Sequence, residues 1–136
     1  MAADLRHGST ITVYASTART ATPPPVEFNI IDPAVRGIII TVNKTAHATT
    51  PSVVPTLKIL VAGSWITLKL FTAITTGANG LYVHFVYPGI TDLGIADIVR
   101  DEVLAYPIAT KFEFSMVHAT GAPDSLTYSV ELQCLR

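Results

Sequence analysis

The chain has 136 residues, a formal net charge of −1, and 14% Asp, Glu, Lys and Arg against 49% hydrophobic residues. Soluble domains average about 25% charged residues, whereas the pI here is about 6.4 and the mean hydropathy +0.45. The length suits one domain with a proper core. The lack of a basic excess sets aside nucleic acid and anionic membranes as partners, leaving other protein as the simplest cover for so much uncharged surface.

Residues 1–9 contain Asp4 and Arg6 and no apolar run, so they read as an N-terminal segment rather than a signal peptide. A single domain is expected over residues 10–136. Its first strand alternates Ile11 and Val13 with Thr10, Thr12 and Tyr14. Ser16–Pro25 has no apolar period and ends in Pro23, Pro24 and Pro25. Proline fixes φ and biases its neighbour to extended geometry, so this stretch should be polyproline-like. It is either an arm that reaches a neighbouring subunit or a rim connection between strands. Next come Val26, Phe28 and Ile30, then Ile38, Ile40 and Val42, each set on one face of a strand.

Leu57, Ile59 and Val61 continue the pattern, followed after the Gly63-Ser64 turn by Ile66, Leu68 and Leu70. Leu81, Val83, Phe85 and Tyr87 oppose Tyr82 and His84, after a turn at Gly77–Gly80 whose Asn79 and Gly80 tolerate positive φ. Leu70–Thr91 has no formally charged residue, but its threonines, glycines, Asn79, His84 and Pro88 make it too polar and broken for a membrane span. In Asp92–Tyr106, Ile95, Ile98, Val99 and Val103 fall near helical spacing, which fits a helix or an anchored loop equally. Phe112, Phe114 and Met116, and finally Leu126, Tyr128, Val130, Leu132 and Cys134, complete about eight strands. The expected fold is all-β, an antiparallel β-sandwich of jelly-roll or immunoglobulin-like type. Two stretches echo each other: Thr41–Val53 and Ser115–Leu126 each run strand, His-Ala-Thr, then Pro and Ser, a repeated hairpin solution.

The chemistry-bearing residues form no recognisable motif. His7, His47, His84 and His118 make no i, i+2 or i, i+4 pair, so exposed or locally hydrogen-bonded roles are expected. Asp92, Asp97, Asp101 and Glu102 have Arg100 among them and no calcium-loop spacing, so they read as a solvated acidic loop. There is no Gly-x-Ser-x-Gly elbow and no phosphate loop. A lone Cys134 excludes an internal disulfide and reads as a buried small hydrophobe. Asn43-Lys44-Thr45 matches a glycosylation sequon by chance, and Trp65 reads as a buried anchor. No catalytic residue, metal or cofactor is expected.

The runs Tyr14–Pro23, Gly37–Val42, Ala48–Leu57, Val86–Ile90 and Asp124–Val130, taken in order, resemble a group of small β-rich tailed-bacteriophage virion proteins. The likeness spans about residues 10–133; each motif is weakly specific, and their order carries it. The resemblance implies a head decoration (cement) protein in the virion, bridging major capsid subunits after assembly in the host cytoplasm. It supplies no catalytic residues, and the chain departs from the pattern at Ile95–Ala105, which is more charged. Partner contacts are accordingly expected at Arg19, Pro23, Pro24 and Pro25 of the Pro-rich stretch and at Asp97, Arg100 and Asp101 of the charged one. Homo-oligomerisation is expected as well, because low surface charge favours self-association. The alternatives are a neck or tail component, a receptor- or carbohydrate-binding sandwich module, and a small cupin-like enzyme with converging histidines.

Overall fold

The computed structural model describes residues 3–91, 98–105 and 108–136. The described residues form no helix and ten strands: β1 (Ala3–Leu5), β2 (Thr10–Arg19), β3 (Val26–Ile30), β4 (Gly37–Ala48), β5 (Val53–Val61), β6 (Ser64–Leu70), β7 (Gly80–Val86), β8 (Arg100–Leu104), β9 (Lys111–His118) and β10 (Ser125–Leu135). They make two five-stranded sheets, β1-β3-β9-β5-β6 and β2-β10-β4-β7-β8. One hydrophobic cluster joins the sheets, with Phe28, Leu57, Phe112, Phe114 and Met116 from the first and Ile38, Ile40, Val42, Val130 and Leu132 from the second. The fold is therefore all-β and sandwich-like.

Two corrections follow. There are ten strands, not eight, and the sheets are mixed rather than purely antiparallel. The eight strands that alternate visibly pair antiparallel with one another. The two additions, β1 on β3 and β8 on β7, are parallel pairs at sheet edges. β1 is only three residues long, yet its Leu5 is fully buried, so the N-terminal segment contributes to the core. β8 begins Arg-Asp-Glu, which hides its period, and it occupies ground where a helix or loop was expected. Residues 92–97, including Asp97, and 106–107 lie outside the described residues.

Continuous cross-strand rows set the register. In the first sheet Ile66, Ile59, Phe112, Phe28 and Ala3 lie side by side across all five strands. In the second sheet Ile11, Leu132, Ile40, His84 and Glu102 form one such row, and Tyr14, Val130, Val42, Tyr82 and Arg100 the next. These rows invert the expected face of β7. Tyr82, His84 and Val86 share the core face with Val42, Ile40 and Ile38, while Val83 and Phe85 lie on the other face yet are still only 8% and 7% exposed. Alternation cannot choose a face when both are apolar, so the register against β4 decides.

The two echoed stretches are not hairpins. β4 and β10 belong to the second sheet and β5 and β9 to the first, so both connections cross between sheets. They lie side by side and clasp each other. The Ala119 amide donates to the Ser52 carbonyl at 2.8 Å, the Ser52 amide to Thr120 Oγ1 at 3.3 Å, and the Thr50 amide and Thr49 hydroxyl to Asp124. Ser16–Arg19 belongs to β2 rather than to the Pro-rich stretch, and residues 20–25 carry the chain from the second sheet to the first.

Candidate functional site

Three places bring polar or unpartnered groups together. At one end of the sandwich, Arg19 packs its guanidinium over the Tyr128 ring at 4.6 Å and the Tyr14 ring at 5.5 Å. It donates to the carbonyls of Tyr128 at 2.9 Å and Ala15 at 2.6 Å. His118 Nε2 lies 3.0 Å from the Tyr128 hydroxyl, and the Tyr14 hydroxyl donates to the Pro24 carbonyl at 2.8 Å. Burial raises the Tyr14 pKa to about 12 and pushes that of Tyr128 higher still, with the Arg19 charge working against both. Burial, then the charge of Arg19, lowers that of His118. The Glu113 carboxylate is near enough to add to the rise at Tyr14, and the cluster works as a cap on the core. Arg19→Met should lower stability by about 1–2 kcal/mol through the lost hydrogen bonds and cation–π contacts, read as a shift of the urea midpoint at neutral pH.

The second cluster lies along the β7–β8 edge. The Glu102 carboxylate accepts the Thr72 amide at 2.9 Å and 3.1 Å and sits 3.5 Å from Arg100 Nε and 4.0 Å from His84 Nε2. Arg100 donates to the Thr72 and Ala73 carbonyls at 2.9 Å and 3.3 Å, with its guanidinium 5.1 Å from the Tyr82 ring centre. Together these two side chains staple the edge strand to the segment between β6 and β7. His84 is 1% exposed, in edge contact with Phe71, and its Nδ1 has no hydrogen-bond partner among the described residues. The expectation of an exposed or locally bonded His84 is thus corrected. Burial, with Arg100 adding to it, pulls its pKa down to about 4. Glu102 is likewise not part of a solvated loop: it points to the core side of β8, with Asp101 on the other face.

Lys44 is a third inward charge, 1% exposed, donating to the Gly77 carbonyl. Burial lowers its pKa. His7, by contrast, sits at the surface, its Nδ1 2.8 Å from Asp32 Oδ2; that hydrogen bond holds the Asp32 pKa down to about 2. Cys134 is buried, and burial raises its pKa. Among the described residues no three His, Cys, Asp or Glu side chains gather in a metal-binding group.

The residues expected to touch a partner are distributed unevenly. Arg19 and Arg100 are engaged inside their own chain, as above. Pro24 and Pro25 are exposed, Pro23 is half-buried, and the Thr22 hydroxyl accepts the His118 amide at 2.9 Å, which ties this stretch to the sandwich. Asp101 is half-buried, and one of its carboxylate oxygens has no hydrogen-bond partner among the described residues.

The outward features that sequence reading missed are apolar. Val61, Ile66 and Leu70 are 44%, 48% and 61% exposed on the β5–β6 hairpin. Ile66 is on the core side of the first sheet, opposite Ile59. At the other edge of the same sheet Ile31 is 44% exposed. It lines a cavity of about 310 Å³ with Ile30, Asp32, Pro33, Val35, Ile108 and Thr110. Only strand order reveals these positions as edges. Comparison with known proteins finds no matching family model, no matching curated protein and no matching solved structure.

Proposed function

We propose that this chain is a structural component of a tailed-bacteriophage virion, and within it a capsid decoration (cement) protein that ties major capsid subunits together. The observation that carries the reading is the direction of its chemistry. Arg19, Lys44, Arg100 and Glu102 are spent on the chain's own carbonyls, rings and amides and His84 is buried beside Glu102, whereas a group of apolar side chains, Ile31, Val61, Ile66 and Leu70, stays exposed along the edges of the first sheet. That pattern suits a part that is covered by other protein. The choice of particle rests on the resemblance of the motif order to small virion proteins. Its action would be mechanical: several modest contacts per copy act as one linked unit, so that combined affinity exceeds each alone. Pro24, Pro25 and Asp101 are the proposed partner contacts, with Arg19 and Arg100 shaping the surfaces that carry them.

Quantitative mass spectrometry of gradient-purified particles from the phage that encodes the chain tests this, with heads and tails analysed separately. The chain should co-purify with heads in many copies. Recovery with tails alone would move it to the neck or tail, and absence from particles would overturn the virion reading.

A further inference from the structure

We infer that copies of this chain associate side by side, the β5–β6 edge of one first sheet seating against the β1–β3 edge of the next. The β5–β6 edge exposes Val61, Ile66 and Leu70, and the β1–β3 edge exposes Ile31 beside the polar Asp4, Arg6 and His7. One row runs from Ile66 through Ile59, Phe112 and Phe28 to Ala3, and two residues further along these strands lie Val61 on one edge and Ile30 with Leu5 on the other. Ile31 and its cavity follow directly. A lateral repeat of the sheet therefore sets Ile66 beside Ala3 and brings Val61 level with Leu5 and Ile30, at the border of a hollow lined by Ile30, Ile31, Val35 and Ile108.

Strand direction agrees. β1 runs parallel to β3, and each later step to β9, β5 and β6 reverses direction, so β6 is antiparallel to β1. The repeat would set the next copy's β1 antiparallel beside β6, the slightly stronger of the two pairings. Charge agrees in part. Val53–Leu70 contains Lys58 and Lys69 and no carboxylate, while the opposite edge bears Asp4, Glu27 and Asp32, with Arg6 after β1 and His7 already bound to Asp32. Among the described residues β6 is protected as an edge by one lysine, Lys69, and by the irregularity between Leu57 and Lys58 of its partner, and it has no proline. Edges so lightly protected are templates for pairing. Two different surfaces meeting head to tail give a ring if the rotation closes, or an open chain if it does not. This association stands independently of the virion reading, since it concerns the purified chain alone.

Sedimentation of the purified protein, with Ile66→Glu and Ile31→Glu variants, tests it. The wild type should sediment as an oligomer and each variant as a monomer with an unchanged β-type circular dichroism spectrum. An equal mixture of the two variants should form a dimer, because each supplies the face that the other has lost. Val61→Lys gives a second disruption of the same edge should Ile66→Glu misfold. A monomeric wild type at millimolar concentration would overturn the inference. So would a mixture that stays monomeric, or an oligomer lost in Ile66→Glu but kept in Ile31→Glu, which would mean two-fold β6–β6 pairing.

Discussion

Phe112→Ala should remove about 3–5 kcal/mol of stability, the usual result of emptying a buried aromatic site. Phe112 is fully buried in the central strand of the first sheet, stacks on Phe28 with ring centres 5.1 Å apart, and pairs with Ile59 on its other side. Its neighbours are held by their own strand pairings, so the space cannot collapse readily. Domains of this size have about 5–15 kcal/mol in total, and the variant should be close to unfolding at physiological temperature. Urea titration at neutral pH checks it: the midpoint should fall sharply with little change in slope. Thr67→Ala, at an exposed edge position, should stay within about 0.5 kcal/mol of the wild type.

His84→Leu should flatten the acid side of the stability profile. The histidine is neutral in the fold because burial holds its pKa at about 4, below the ordinary imidazole value of 6.5. The unfolded chain therefore binds the proton first. The stability associated with His84 is fully present above pH 6.5 and is lost as pH falls from 6.5 towards 4. At about 1.36 kcal/mol per pKa unit, the loss is about 3 kcal/mol across that window. The affected region is the β7–β8 edge, where an imidazolium would join Arg100 beside one carboxylate, Glu102. Unfolding free energies measured at several pH values from 7 to 4.5 should show a steep wild-type dependence that is clearly shallower in the variant, the remaining slope coming in part from His118, whose pKa burial also lowers. Asp32 contributes little there, because its pKa, lowered to about 2 from 3.8, makes its stability fade at lower pH. An equal slope in both proteins would place the acid sensitivity elsewhere.

Much of the β architecture is legible in the sequence because alternation and burial coincide along Ile38–Val42, Phe112–Met116 and Leu126–Cys134. The failures share a cause: neighbours across a sheet are not encoded locally. β7 is apolar on both faces, so only its register with β4 turns His84 inward. Ile66 and Leu70 look like core residues in the strand pattern and are exposed because β6 is the last strand of its sheet among the described residues. β8 has three charges in five residues, and two of them, Arg100 and Glu102, are useful only through contacts with Thr72 and Ala73, nearly thirty positions earlier. The candidate surfaces were the least legible part. A solvated loop and an apolar edge exchange meanings once the strand order is known.

The place of β10 has a consequence for biosynthesis. It is the last strand in sequence, yet it lies between β2 and β4 and pairs with both along most of its length. A nascent chain emerging from the ribosome has no scaffold on which to align β2 with β4 until about residue 135 has cleared the exit tunnel. Closure of the second sheet is thus a late, long-range event, of the kind that makes β-rich topologies slow. During translation the apolar faces of β4 and β7 wait uncovered, which makes this interval the one in which chaperones would matter most.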